Sequence, residues 1–153
     1  MLKPIYINKT IKNFKKKISV SGDKSLSIRW ALLASQAIGR SRAYNLLRSN
    51  DVLKTLQCLK KLGTQVELKN KYCEIKGNGI NSFVYKNNLT INAGNSGTLG
   101  RLILALLIKS PKKIKLIGDK SLSKRDFSRV INPLKEFGAS FYPKNKSTLP
   151  LYI

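Results

Sequence analysis

Gly94-Asn95-Ser96-Gly97-Thr98-Leu99-Gly100-Arg101 is the stretch on which the fold turns. Before it, Leu89, Ile91 and Ala93 alternate with polar residues, the period of a half-buried strand. After it, the run Leu102 to Ile108 reads as the buried part of a helix. Glycines at such a junction let a ligand approach the main chain closely. The first N–H groups of the following helix lack internal partners, and its dipole favours an anion there. Thr98 is able to cap the helix, and Arg101 to fork onto a phosphate or carboxylate. The stretch therefore suits an oxyanion cradle, although its spacing equally fits a Gly-rich strand-to-helix turn with no ligand. It is not a Walker loop, because no Gly-Lys-Ser/Thr follows.

Working outward, a strand is expected at Ser41 to Leu46 and helices at Ser25 to Ala37 and about Asn50 to Leu62. The first helix carries Leu26, Trp30, Leu33 and Ala37 at helical spacing and stops at Gly39. Asn50 or Asp51 caps the second, whose apolar positions are Val52, Leu53, Leu56, Leu59 and Leu62 before Gly63. Val66-Leu68 and Tyr72-Ile75 read as a hairpin around Lys69-Asn70-Lys71. Ile5 and Ile7 suggest a first strand, Lys12 to Lys17 a basic connector, and Ile18 and Val20 a further strand. Beyond the central turn come a helix at Gly97 to Lys109, a strand at Ile114 to Ile117 and a helix at Asp126 to Phe137. Strands at Ala139 to Tyr142 and Leu149 to Ile153 complete the reading. Pro133 inside the last helix predicts a kink or a late start.

The same order thus occurs twice. Asp51, Leu56, Leu59, Gly63 and Val66 correspond to Asp126, Ile131, Leu134, Gly138 and Phe141, each offset by 75 positions. The expected architecture is α/β (α+β), with two β-α-β-α-β-β units at about 18–80 and 88–153 packed around a common centre, preceded by residues 1–17.

Composition narrows the chemistry. Thirty Lys and Arg against seven Asp and Glu give a net charge of +23 over 153 residues. Such a field draws anions: nucleic acid, acidic membranes or phosphorylated metabolites. Against nucleic acid, the basic residues are spread out, no zinc-finger or RNA-recognition spacing occurs, and the aromatics do not interleave with the basic clusters. There is no His, which excludes a His-based triad or imidazole acid/base chemistry within the chain. Cys58 and Cys73 match no metal spacing and read as two reduced thiols of a cytoplasmic protein. Met1 to Lys17 has no apolar core of a signal peptide, and Leu102 to Ile108 is too short to span a bilayer. The expectation is a soluble protein without a metal site.

Ser21-Gly22-Asp23-Lys24-Ser25 repeats the design of the central turn, and Gly118-Asp119-Lys120-Ser121-Leu122-Ser123-Lys124-Arg125 is a third basic turn ahead of a helix. Lys24 fits either an anion site or a solvated turn. Taken together, the three turns suggest one anion site built from helix N-termini.

At this point the residues resemble a family. Gly94-Asn95-Ser96-Gly97-Thr98 with Arg101 resembles the Gly-Asn-Ala-Gly-Thr motif and Arg of 5-enolpyruvylshikimate-3-phosphate synthase. Lys24-Ser25 with Arg29 resembles its Lys-Ser…Arg motif, and Gly118-Asp119 through Arg125, Pro133-Leu134 and Phe137-Gly138-Ala139 give a third match. The resemblance runs from about Ile18 to the end of the chain. It implies a shikimate-pathway transferase that moves the enolpyruvyl group of phosphoenolpyruvate onto the 5-hydroxyl of shikimate 3-phosphate, without metal or cofactor. By motif, Lys24, Ser25 and Arg29 hold shikimate 3-phosphate; Lys24, Gly97 and Arg125 hold phosphoenolpyruvate; Asn95, Thr98 and Arg101 shape that pocket. Ser96, Leu102 and Ile28 depart from the commoner Ala, Pro and polar residue, which leaves sensitivity to the herbicide glyphosate open.

The family has two similar domains of three units each, with its acid/base carboxylate and further arginines in parts this chain does not supply. None of Asp23, Asp51, Glu67, Glu74, Asp119, Asp126 or Glu136 falls on a matching position. The chain is therefore expected to be an N-terminal portion, inactive without the remainder of the enzyme. The alternatives are a non-catalytic anion- or nucleic-acid-binding module on the same fold and the sister transferase acting on UDP-N-acetylglucosamine.

Overall fold

The computed structural model describes residues 5–10, 13 and 15–153. Eleven elements follow in the order α1 (Lys24–Gln36), β1 (Ile38–Tyr44), α2 (Asn50–Lys61), β2 (Gln65–Leu68), β3 (Tyr72–Asn78), β4 (Leu89–Asn92), α3 (Gly97–Leu107), β5 (Ile114–Ile117), a 3-10 turn (Leu122–Lys124), α4 (Ser128–Glu136) and β6 (Leu151–Tyr152). Two three-stranded sheets result, ordered β1-β3-β2 and β4-β5-β6. The first is antiparallel throughout, with the β2–β3 hairpin in the expected place. In the second, β4 lies parallel to β5 with α3 as the crossover, and β6 runs antiparallel.

The core lies between the sheets and helices. α1 packs on α2, β3 and α3, and α4 packs on α3. Ile28, Val52, Leu59, Ile75, Ile103, Leu104, Leu116 and Phe127 are fully buried there. Gly63, at φ +86, ends α2 in the left-handed region as expected of a helix-stopping glycine.

Four expectations need correction. The inward face of α1 is Ser27, Ile28, Ala31, Leu32, Ala34 and Ser35, whereas Leu26 and Leu33 are 66% and 70% exposed. The small residues let α1 lie close: a Cβ at Gly77 of β3 would fall 2.4 Å from the Ala34 carbonyl. The buried face thus combines the apolar Ile28 and Leu32 with small residues where the sheet comes close. Second, Ser49 occupies the N-cap of α2, not Asn50 or Asp51, which are already inside the helix. Third, Ile5–Ile7 and Ile18–Val20 form no strand among the described residues. Ile18 and Val20 are about 70% exposed; the Val20 carbonyl takes one bond from Asn45 Nδ2 (3.1 Å). So short a run beside Lys15-Lys16-Lys17 buries no face and builds no ladder. The basic connector Lys12 to Lys17 lies partly outside the described residues. Fourth, Ala139 to Tyr142 contributes only a bridge from Tyr142 to Tyr152. The last helix starts two residues later than Asp126, yet Pro133 stays in its interior.

Candidate functional site

Three turns meet at one cleft. The central turn leaves β4 with Gly94 at φ +58, a left-handed conformation that glycine adopts without cost. Gly94 N–H donates to Asn92 Oδ1 (2.8 Å), and the Gly94 carbonyl accepts from Asp119 N–H (2.8 Å), which ties the central turn to the third. Ser96, buried, is the N-cap of α3: its Oγ accepts the Leu99 N–H at 3.2 Å. An Ala at this position would lack that bond. With Leu99 capped, the N–H groups of Gly97 and Thr98 are left for a ligand at the positive end of α3. Asp23 does the same for α1, accepting from Leu26 N–H at 2.7 Å, and so places Lys24 at the helix start.

Lys24, Asp51, Asn95, Gly97, Thr98, Arg101 and Arg125 line a polar cleft of about 370 Å³. Arg125 Nη2 donates to Asn95 Oδ1 (3.0 Å), and Arg101 Nη2 to the Asp126 carbonyl (3.2 Å). Both guanidinium groups crowd Gly97: a Cβ there would stand 2.8 Å from Arg101 Nη1 and 3.1 Å from Arg125 Nη1. Two guanidinium groups, an ammonium and the N-terminus of α3 make the cleft strongly electropositive, a geometry that binds small, multiply charged anions.

The expected residues separate into two groups. Lys24, Asn95, Gly97, Thr98, Arg101 and Arg125 come together. Ser25 is half-buried in the first turn of α1 and does not line the cleft. Arg29, a turn further on, borders an apolar groove of about 300 Å³ with Leu32, Leu33, Leu102, Ala105 and Leu106. Ile28 is buried in the core.

Sequence reasoning missed Asp51 as a member of the cleft. Its carboxylate lies 3.3 Å from Lys24 Nζ, at the start of α2, and orients the lysine. The pair is partly solvated, so the bond directs the side chain more than it stabilises the fold. Asp51 lies in the first turn of α2, as Lys24 opens α1 and Gly97 opens α3, and that shared position at a helix start was the available signal.

Other titratable groups stand apart from the cleft. Hydrogen bonds from the Ser128 and Ser147 side chains hold the Asp126 carboxyl down at about 2. Burial pushes the Cys58 and Cys73 thiols up to about 11, so both are neutral at ordinary pH. No helix among the described residues is long and apolar enough to cross a membrane.

Residues 8–153 match the family model described as EPSP synthase (3-phosphoshikimate 1-carboxyvinyltransferase). The 3-phosphoshikimate 1-carboxyvinyltransferases of Streptococcus pyogenes serotypes M49 and M4 are each 41% identical over 133 residues, covering 87% of this chain and 31% of the relative. The solved EPSP synthase from Acinetobacter baumannii superposes with a TM-score of 0.82 at 34% identity, covering 92% of this chain and 32% of that one. The chain thus spans about a third of the length of the proteins it matches.

Proposed function

The chain belongs to the EPSP synthase family, and from that premise we propose that its cleft is the phosphoenolpyruvate-binding part of an enolpyruvyl transferase. The observation that carries this reading is the convergence of Lys24, the start of α3 and Arg125 on one polar cleft. Phosphoenolpyruvate brings a phosphate and a carboxylate. The N–H groups of Gly97 and Thr98 and the Arg125 guanidinium suit the two anionic ends, and Lys24 sits where a second substrate meets the first. Ser25, in the first turn of α1, and Arg29, a turn further on, take shikimate 3-phosphate. The enolpyruvyl group then passes to the 5-hydroxyl, and phosphate leaves. Preorganised cations and N–H dipoles favour such a reaction by stabilising charge where it develops.

Among the described residues Asp51 is the one carboxylate lining the cleft, and its bond to Lys24 engages it as a hydrogen-bond acceptor. These 153 residues, purified by themselves, are therefore expected to bind substrate without turning it over; catalysis needs acid/base groups from the rest of an enzyme about three times as long. The two units, about 18–80 and 88–153, contribute one wall of the cleft each. A reducing, cytoplasmic setting suits the two buried neutral thiols.

Calorimetric titration with shikimate 3-phosphate and with phosphoenolpyruvate tests the assignment. Binding of both, with shikimate 3-phosphate binding lost in Lys24→Ala and in Arg29→Ala, is the expected result. A folded chain that binds neither overturns the reading.

A further inference from the structure

Arg101 lines the cleft, yet its donors are turned to the protein. Nη2 donates to the Asp126 carbonyl at 3.2 Å, and Nη1 reaches the Gly97 carbonyl at 3.5 Å, the limit of a hydrogen bond. Its guanidinium lies 5.1 Å over the ring of Phe127, which is fully buried and so fixes the plane of the fork. Gly100, the preceding residue, stands 3.4 Å from that ring (measured from where its Cβ would be), which brings α3 flush against the Arg125–Phe127 segment. The Asp126 carboxylate does not pair with Arg101; it accepts from the N–H (3.1 Å) and hydroxyl of Ser128. Arg101 therefore grips main chain at Gly97, whose N–H faces the cleft, and at Asp126, the residue after Arg125.

We propose that Arg101 is a positioning residue: it reaches from α3 to the Asp126 carbonyl and holds the Arg125 turn so that the Arg125 guanidinium stands over Gly97, while Arg125, not Arg101, takes the anion. This rests on the reading of the cleft given above. The side chain of Arg125 is exposed, and among the described residues its one side-chain bond goes to Asn95, at 3.0 Å. Its main chain is anchored by its own N–H on the Leu122 carbonyl (3.1 Å) and by Phe127 N–H on the Ser147 carbonyl (2.7 Å). Arg101 joins that anchored turn to the helix whose N–H groups form the other half of the anion site.

A double-mutant cycle on this chain, with phosphoenolpyruvate as the probe, separates positioning from direct contact. Arg101→Ala is expected to weaken binding roughly tenfold in the parent chain and to have no further effect in the Arg125→Ala background. Losses that simply multiply would mean that Arg101 touches the anion, and an unchanged affinity in Arg101→Ala would mean that it does nothing; either overturns the proposal. Arg101→Lys keeps the charge but cannot span two carbonyls, so it is expected to behave as Ala does. Full recovery in the lysine variant would assign the effect to charge and also overturn it. Hydrogen exchange gives a readout that needs no ligand: the Arg125 and Phe127 amides should exchange at least about tenfold faster in Arg101→Ala, or in Arg101→Lys should the alanine variant not fold. Unchanged exchange overturns the proposal. If the parent chain fails to bind the probe while exchange responds as expected, the substrate assignment falls and the positioning of Arg125 stands.

Discussion

Gly97 has no room for a side chain, because the ends of two arginines occupy the space where a Cβ would go. Both are tips of flexible side chains and are able to withdraw, so Gly97→Ala should leave the fold intact while dislodging the guanidinium groups from the proposed anion site. A helical alanine is intrinsically favourable by about 1 kcal/mol over glycine, so the melting temperature should hold or rise. The affinity for phosphoenolpyruvate should fall by roughly tenfold, the equivalent of about one disturbed charge-assisted bond. Calorimetry beside thermal unfolding checks both halves of this expectation. At the same scale, the sequence disclosed six residues of the cleft because glycines, a cap and basic side chains cluster before helices. Asp51 stayed hidden, since its partner Lys24 lies 27 positions away and only the packing of α1 against α2 joins them.

Among the elements, α3 depends on its cap more than its composition suggests. Its first turn has no acidic residue, so Ser96 Oγ is the local group that satisfies a helix-terminal N–H and offsets the dipole. Ser96→Ala should destabilise the chain by about 1 kcal/mol, the usual cost of losing a side-chain cap. Urea unfolding monitored by circular dichroism reads this as a lower midpoint at unchanged slope. Helices and the β2–β3 hairpin were legible because periodicity and the stop glycines Gly63 and Gly138 act over a few residues, whereas Gly39, expected to stop α1, lies inside β1 beyond the cap at Ala37. The inward face of α1 was not. Leu26 and Leu33 look like core by hydropathy, but the close approach of Gly77 to the backbone at Ala34 to Ala37 sets which face of α1 turns inward, and this constraint comes from another element. The absent ladder at Ile18–Val20 has the same origin: a strand is a property of a pair, and alternation in one partner does not guarantee the other.

For the whole molecule, +23 of net charge coexists with an open apolar groove where Leu33 and Leu102 meet between α1 and α3. Charge keeps copies apart at low salt; screening at high salt removes that protection and leaves the groove to drive association. Leu33→Lys, at a position 70% exposed, should keep the chain monomeric at salt concentrations where the parent self-associates, with a change in stability within about 0.5 kcal/mol. Light scattering across a salt series checks it.

The walls of the polar cleft come from distant parts of the chain: Lys24 and Asp51 from one end, the α3 turn and Arg125 from the other. Within the second wall, the Asp119–Gly94 bond fastens two turns into one jaw. An anion seated between the walls is then a removable staple. On the binding proposed for the cleft, it would span about a hundred residues of chain without a covalent bond, neutralise like charges that otherwise push the jaws apart, and make the cohesion of the protein depend on the concentration of its ligand.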